Sequence, residues 1–248
     1  ALFERLDFSA FARSAPPEAG PGAFDGLLEQ TLAQHGFGDP QLASLLREAL
    51  PGVLRTPLGH GLDELCLADL GPPDRLDELH FELRFAGPEA RSGGQLAACF
   101  EAAEGGAEAS LGGLAYPALS GLLTGSIDGL FRCRSGPRPR YFVVDYKSNK
   151  LDPEGRGRCL PAHYAPAGLR AAMTHHHYDL QACLYALAAH RYLRLRAPDY
   201  DYERDFLGCY YLFFRGMTTL DGGPAEAGRA VAFLRPRRRV IEALDALF

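Results

Sequence analysis

The chain has 248 residues, 47% of them apolar and 23% charged, with a formal net charge of −5. That is an ordinary globular composition with enough sequence for a substantial core, and it argues against disorder. It contains no apolar run of about 18 residues and no basic-then-apolar leader, so neither a membrane span nor a secretory signal is expected. The net charge does not suggest a simple electrostatic nucleic-acid binder. The charge is segregated, however: residues 132–170 carry nine Lys and Arg against three carboxylates, a net +6, which leaves −11 for the remainder. From charge alone, solvated loops account for this as well as a nucleic-acid surface does. The chain opens on Ala1, not Met, so a processed chain or a piece of a longer one is expected. Six cysteines are scattered without a CxxC pair. They give no zinc or iron–sulfur signature and are expected to be reduced core residues in a cytoplasmic setting.

In chain order, Ser9 to Gly22 is rich in Ala, Pro and Gly and is expected to be a loop. Helical apolar spacing covers 24–36 and 40–50, the second opened by Asp39-Pro40. Leu79, Phe81, Leu83 and Phe85 alternate with polar residues, as in a half-buried strand. A short helix over 95–103 precedes a Gly-rich loop, 105–113. Leu123 to Arg134 and Arg140 to Ser148 predict two strands of a hairpin closed by 135–139. Residues 149–170 look irregular and basic. One long helix is expected over 175–197, with Leu180, Leu184, Leu187 and Leu193 on roughly one face. The apolar run 207–214 predicts a central strand, followed by a strand near 229–234 and a helix from Val240. Helices interleave with strands, so the class is α/β or mixed α+β with a covered sheet.

Asp128 and Asp145 both lie in apolar strands of the hairpin. A carboxylate there costs several kcal/mol unless it is paired or binds a metal. Asp145 and Lys147 leave the same face of their strand, and Asp128 can converge with them if the register allows it. Two carboxylates with a lysine beside them suit Mg²⁺. The plainer alternative is an Asp–Lys salt bridge at a strand end. On the helix, Tyr178, Gln181 and Tyr185 lie at i, i+3 and i+7 and share a stripe. They are either core aromatics beside a surface Gln or a stripe that meets substrate near the carboxylates.

Together, G-S-I-D-G (125–129), V-V-D-Y-K-S-N (143–149) and Y-D-L-Q-A-C-L-Y (178–185) resemble the RecB-type nuclease modules of the PD-(D/E)XK superfamily. More narrowly, they resemble the C-terminal nuclease domains of RecB (beta) subunits of exodeoxyribonuclease V. The similarity runs on through 188–206 and 210–217, and is looser over the first 120 residues. The resemblance implies a single restriction-endonuclease-like α/β domain over 1–248, a mixed sheet with flanking helices. It implies Mg²⁺ ligation by Asp128 and Asp145, and a Lys147 that positions the attacking water and stabilises phosphate charge. Gln181 and Tyr185 would belong to the helix motif beside the site, with Tyr178 next to it. Arg132, Arg140 and Lys150 of the basic segment would hold the DNA backbone. The implied activity is a metal-dependent deoxyribonuclease acting on single-stranded DNA unwound by a helicase on the same chain, within a multisubunit complex that serves repair and recombination. A recombinase is a further implied partner.

The resembled family also has a His ligand on a helix reading H-x-L-F-E. Here the chain opens Ala1-Leu2-Phe3-Glu4, so that His would fall one position before Ala1. Either it is trimmed off or the protein lacks it and is a catalytically impaired docking or DNA-binding module. Glu4, one helical turn away, is expected to neighbour the site, and His80 is a weaker substitute. His175 to His177 cannot all bind one ion from consecutive helix positions and are expected to start a helix. Arg215 and the run Arg237–Arg239 are expected to be a strand end and a solvated cap.

Overall fold

The structure, a computed structural model, describes residues 2–12, 21–85, 93–101, 111–115, 120–153, 155–157, 159–219 and 223–248. The elements are α1 (Leu2–Arg5), α2 (Pro21–Gln34), α3 (Pro40–Arg55), β1 (Arg75–Arg84), α4 (Gly93–Glu101), β2 (Leu122–Cys133), β3 (Arg140–Lys147), α5 (Pro166–His175), α6 (Tyr178–Arg196), α7 (Tyr202–Asp205), β4 (Phe206–Phe213), β5 (Val231–Leu234) and α8 (Arg238–Leu247). The strands form one five-stranded mixed sheet in the order β1-β2-β3-β4-β5, flanked by helices, as a restriction-endonuclease-like fold requires. Contacts divide the chain into two compact units. One comprises residues 1–75, 146–170 and 211–232, and the other 76–145, 171–210 and 233–248.

The expected hairpin forms. β2 and β3 are antiparallel, with the register Cys133↔Arg140 through Phe131↔Phe142 to Gly129↔Val144. Side chains alternate across the sheet, so Phe131 and Phe142 share one face. Their rings stack at 5.5 Å, and Phe142 meets Tyr210 edge-on at 5.4 Å. Phe131, Phe142, Val143, Val144 and Tyr210 are all essentially inaccessible to solvent. β3 is therefore covered on both faces, which explains its unbroken apolar run.

In the first unit α3 opens as the sequence predicts: the Asp39 side chain accepts from the Gln41 N–H at 2.9 Å and Pro40 takes the first helical turn. The helix runs on past Pro51 to Arg55, five residues beyond the expected end. Leu83 and Phe85 are buried as expected, whereas His80 is exposed on the edge strand β1. The loops expected over 9–22 and 105–113 lie partly outside the described residues, as do the last two residues of the 95–103 helix.

Two expectations are adjusted. The helix expected over 175–197 forms as α6, Tyr178–Arg196, and starts three residues late because another helix precedes it. α5 already begins at Pro166, within the segment expected to be irregular, and ends at His175. His177 then adopts φ +53° before α6 starts at Tyr178. The leucine stripe of α6 is buried in part: Leu187 and Leu193 are inaccessible. Ala182, Cys183, Ala186 and Ala189 are inaccessible, while Leu180 and Leu184 are half-buried. Small side chains let the helix backbone approach β4, where the Cys209 thiol reaches the Ala182 carbonyl at 3.6 Å.

α8 buries Val240, Ile241, Leu244 and Leu247 and packs against α4 and α6. Asp245 ties it to α6, accepting from Arg191 Nε at 2.5 Å and Arg194 Nη1 at 3.0 Å. Burial alone would raise the Asp245 carboxyl, but the bonds and charges of Arg191 and Arg194 outweigh it and hold the pKa below the ordinary value. A depressed native pKa stabilises the fold above the unfolded value and is lost as pH falls through the folded one. Asp245→Asn is therefore expected to cost about 1 kcal/mol near neutrality. The difference should vanish in acid, below the usual carboxylate range. Urea melts of both proteins at several pH values measure it, and a pH-independent difference would count against this account.

Among the described residues, no helix is long and apolar enough to cross a membrane. All six cysteines are free thiols, five of them buried.

Candidate active site

The hairpin register decides where the carboxylates fall. The paired register ends at Gly129↔Val144; carried on by one residue, it would set Asp128 opposite Asp145. Directly opposed residues project to the same face, on strands about 4.8 Å apart. Asp145 is only 3% exposed, one of the few buried charged side chains, and Asp128 is half-buried. Lys147 follows Asp145 by two residues on β3 and so leaves the same face of that strand. Its ammonium lies 5.3 Å from the centre of the Tyr211 ring, within cation–π range.

α6 closes over the carboxylates in the second unit. The Tyr185 hydroxyl accepts a hydrogen bond from Gln181 Nε2 at 2.9 Å. Its ring, which also meets Phe81 edge-on at 5.9 Å, is largely buried. Burial, then the charges of Asp145 and Asp128, push the Tyr185 hydroxyl far above the ordinary tyrosine value, against the smaller opposing effect of the Gln181 bond. Tyr185 is therefore a neutral phenol at any physiological pH, and both carboxylates lie within electrostatic reach of it. The buried Cys209 thiol, on β4, is pushed up as well, by burial and then by Asp145. It was not singled out in the sequence, where it sits inside a continuous apolar run.

The structure thus gathers Asp128, Asp145, Gln181 and Tyr185. Tyr178, half-buried, begins the same helix. Glu4 lies on α1 in the first unit, where its carbonyl accepts from Arg75. Arg132 and Arg140 are at the turn end of the hairpin, four residues from Asp128 and five from Asp145. At about 3.3 Å per residue, that is some 13–17 Å along the strands. Arg140 also alternates to the face opposite Asp145. The Lys150 ammonium donates to the Gly157 carbonyl at 2.6 Å, which closes its own loop. Arg215 donates to the Ser148 carbonyl at 3.0 Å, as a strand-end residue does. In the arginine run, Arg238 pairs with Asp201 and Glu242.

Among the described residues, no group of three or more His, Cys, Asp and Glu side chains converges on a point. The donor set is a pair of hard carboxylates without nitrogen or sulfur. That suits Mg²⁺, which takes one or two carboxylates and fills its octahedron with water and substrate oxygens, and it does not suit zinc.

No family model matches the chain. It is similar to proteins named RecBCD enzyme subunit RecB. It is 35% identical over 210 residues to that of Haemophilus influenzae (85% of this chain, 16% of that protein). It is 33% identical over 248 residues to that of Escherichia coli K12 (100% and 18%). It is 38% identical over 191 residues to that of Mycobacterium tuberculosis (71% and 17%). The chain spans less than a fifth of the length of these curated relatives. Over that stretch it is a homologue of one part of the RecB subunits.

Proposed function

We propose that this protein is a Mg²⁺-dependent deoxyribonuclease that hydrolyses phosphodiester bonds of unwound DNA in repair and recombination. The observation that carries this reading is the pair Asp128 and Asp145 on adjacent strands, the second of them buried and both within electrostatic reach of Tyr185. The RecB relatives support the DNA-processing role. By the same likeness, a helicase on the same chain, the other subunits of a RecBCD-like complex and a recombinase are its proposed partners, and single-stranded ends are its substrate.

Asp128 and Asp145 would hold the ion. When bound, Mg²⁺ lowers the pKa of a coordinated water and neutralises charge developing on the phosphate. The remaining work falls to the chain's own side chains. Lys147 lies on the Asp145 side of β3, where it orients the attacking water and offsets charge on a phosphate oxygen. Tyr185 cannot serve as a base, because it stays protonated. Since its oxygen accepts from Gln181, its own proton remains available to donate. The α6 pair therefore holds the carboxylate side of the site in one geometry and narrows access for bulk water.

Degradation of labelled single-stranded DNA tests the reading. Cutting is expected with Mg²⁺, to stop with a chelator, and to fall steeply with added salt, because phosphate contacts are screened. Cutting that persists in chelator would overturn it. A second reading is a docking module that holds DNA or a partner without cutting, and the absence of a third converging ligand among the described residues favours it. No cutting, together with no Mg²⁺ binding, would select that reading.

A further inference from the structure

The link between α5 and α6 does more than start a helix. It turns through His177, whose φ of +53° is a left-handed conformation that costs a non-glycine residue energy. The His177 carbonyl accepts from the N–H groups of Leu180 and Gln181 at 3.1 and 3.3 Å, so the first turn of α6 fixes the link. The turn lays the His176 ring on the Tyr178 ring, with centroids 5.1 Å apart and planes 23° apart. His175 meets His176 edge-on at 4.9 Å. All three histidines are exposed and Tyr178 is half-buried. Exposed rings bury little apolar surface, so core packing does not repay the strain.

The ring pile sits on the helix that carries the site. Tyr178 lies seven residues before Tyr185 on the same stripe, about 10 Å along the axis. A stacked strand advances about 3.4 Å per nucleotide, so the rise from Tyr178 to Tyr185 matches about three nucleotides. We propose that His176 and Tyr178 form a stacking platform for an unpaired base a few nucleotides from the phosphate that is cut beside Asp128 and Asp145. The proposal rests on the nuclease reading and gives it a substrate preference. A π-face accepts any base, so the platform selects single strands without selecting sequence. A duplex, whose bases are already stacked on one another, offers no free face.

Fluorescence anisotropy in chelator, which prevents cutting, measures binding of the purified protein to an oligothymidylate and to an abasic strand of equal length. The wild type is expected to bind the base-bearing strand at least about tenfold tighter. His176→Ala and Tyr178→Leu are each expected to bring the two affinities close together, and His176→Phe to restore the gap, which excludes misfolding as the cause. Equal wild-type affinities, or a gap that survives both variants, would overturn the platform. If Mg²⁺-dependent cutting is present in that case, the nuclease reading stands without it. Failure of the wild type to bind either strand or to cut would overturn both.

Discussion

Asp145→Asn is expected to lower Mg²⁺-dependent cutting of single-stranded DNA by about a thousandfold or more, without destabilising the apo protein. The two expectations come from the same geometry. Asp145 is 3% exposed, and it and Asp128 both act on Tyr185, so its charge is desolvated with a like charge nearby. Burying a charge and placing it near a like charge both cost free energy when no cation is bound. An amide of the same shape keeps the packing and removes the charge. The apo variant should therefore melt at the wild-type temperature or a few degrees above it, as commonly happens when a functional site's strain is relieved. Mg²⁺ should separate the two proteins further. An ion that binds only the native state stabilises it by about 2.7 kcal/mol at a hundredfold excess over its Kd, so the wild type should show a Mg²⁺-dependent rise in melting temperature that the variant lacks. A variant that cuts normally would remove Asp145 from the chemistry. One that melts well below the wild type in chelator would mean that the carboxylate serves the fold.

The hairpin was legible because its signals are local. Apolar strands, a Gly/Pro turn of defined length and a carboxylate in each strand together constrain a register, and that register runs from Cys133↔Arg140 to Gly129↔Val144, next to both carboxylates. The break at His177 was not legible. Neither Gly nor Pro marks it, and three histidines fit a helix as easily as a link; the left-handed turn shows only in the backbone. The buried face of α6 was legible only in part, with Leu187 and Leu193 buried and Leu180 and Leu184 half-buried. Hydrophobicity favours the leucines, but close approach to β4 rewards Ala182, Ala186 and Ala189, whose value is their small size. Cys209 beside Asp145 was invisible because β4 is apolar throughout, so periodicity does not say which of its residues face α6. Gln181 and Tyr185 were legible as members of a motif; that Gln181 donates to the Tyr185 hydroxyl needed coordinates.

Phe142→Ala is expected to cost about 3–5 kcal/mol of stability. Phe142 is fully buried, stacks on its register partner Phe131 and meets Tyr210 edge-on. These contacts lie on the face of β3 opposite the carboxylates. The deleted ring leaves a cavity between two strands whose backbones are tied into a ladder and cannot collapse to fill it. Phe37→Ala removes the same side chain where it is 56% exposed and is expected to change stability by less than about 0.5 kcal/mol. Chemical denaturation of both variants measures the contrast. The larger consequence concerns register. A one-residue slip between β2 and β3 would turn Asp128 to the far face, and the Phe131–Phe142 pair is the bulkiest feature that resists it. Under conditions where Phe142→Ala remains folded, its Mg²⁺ affinity is therefore expected to fall, although no ligand atom has been touched. A variant that loses stability but binds Mg²⁺ as tightly as the wild type would show that the ladder alone holds the carboxylates level.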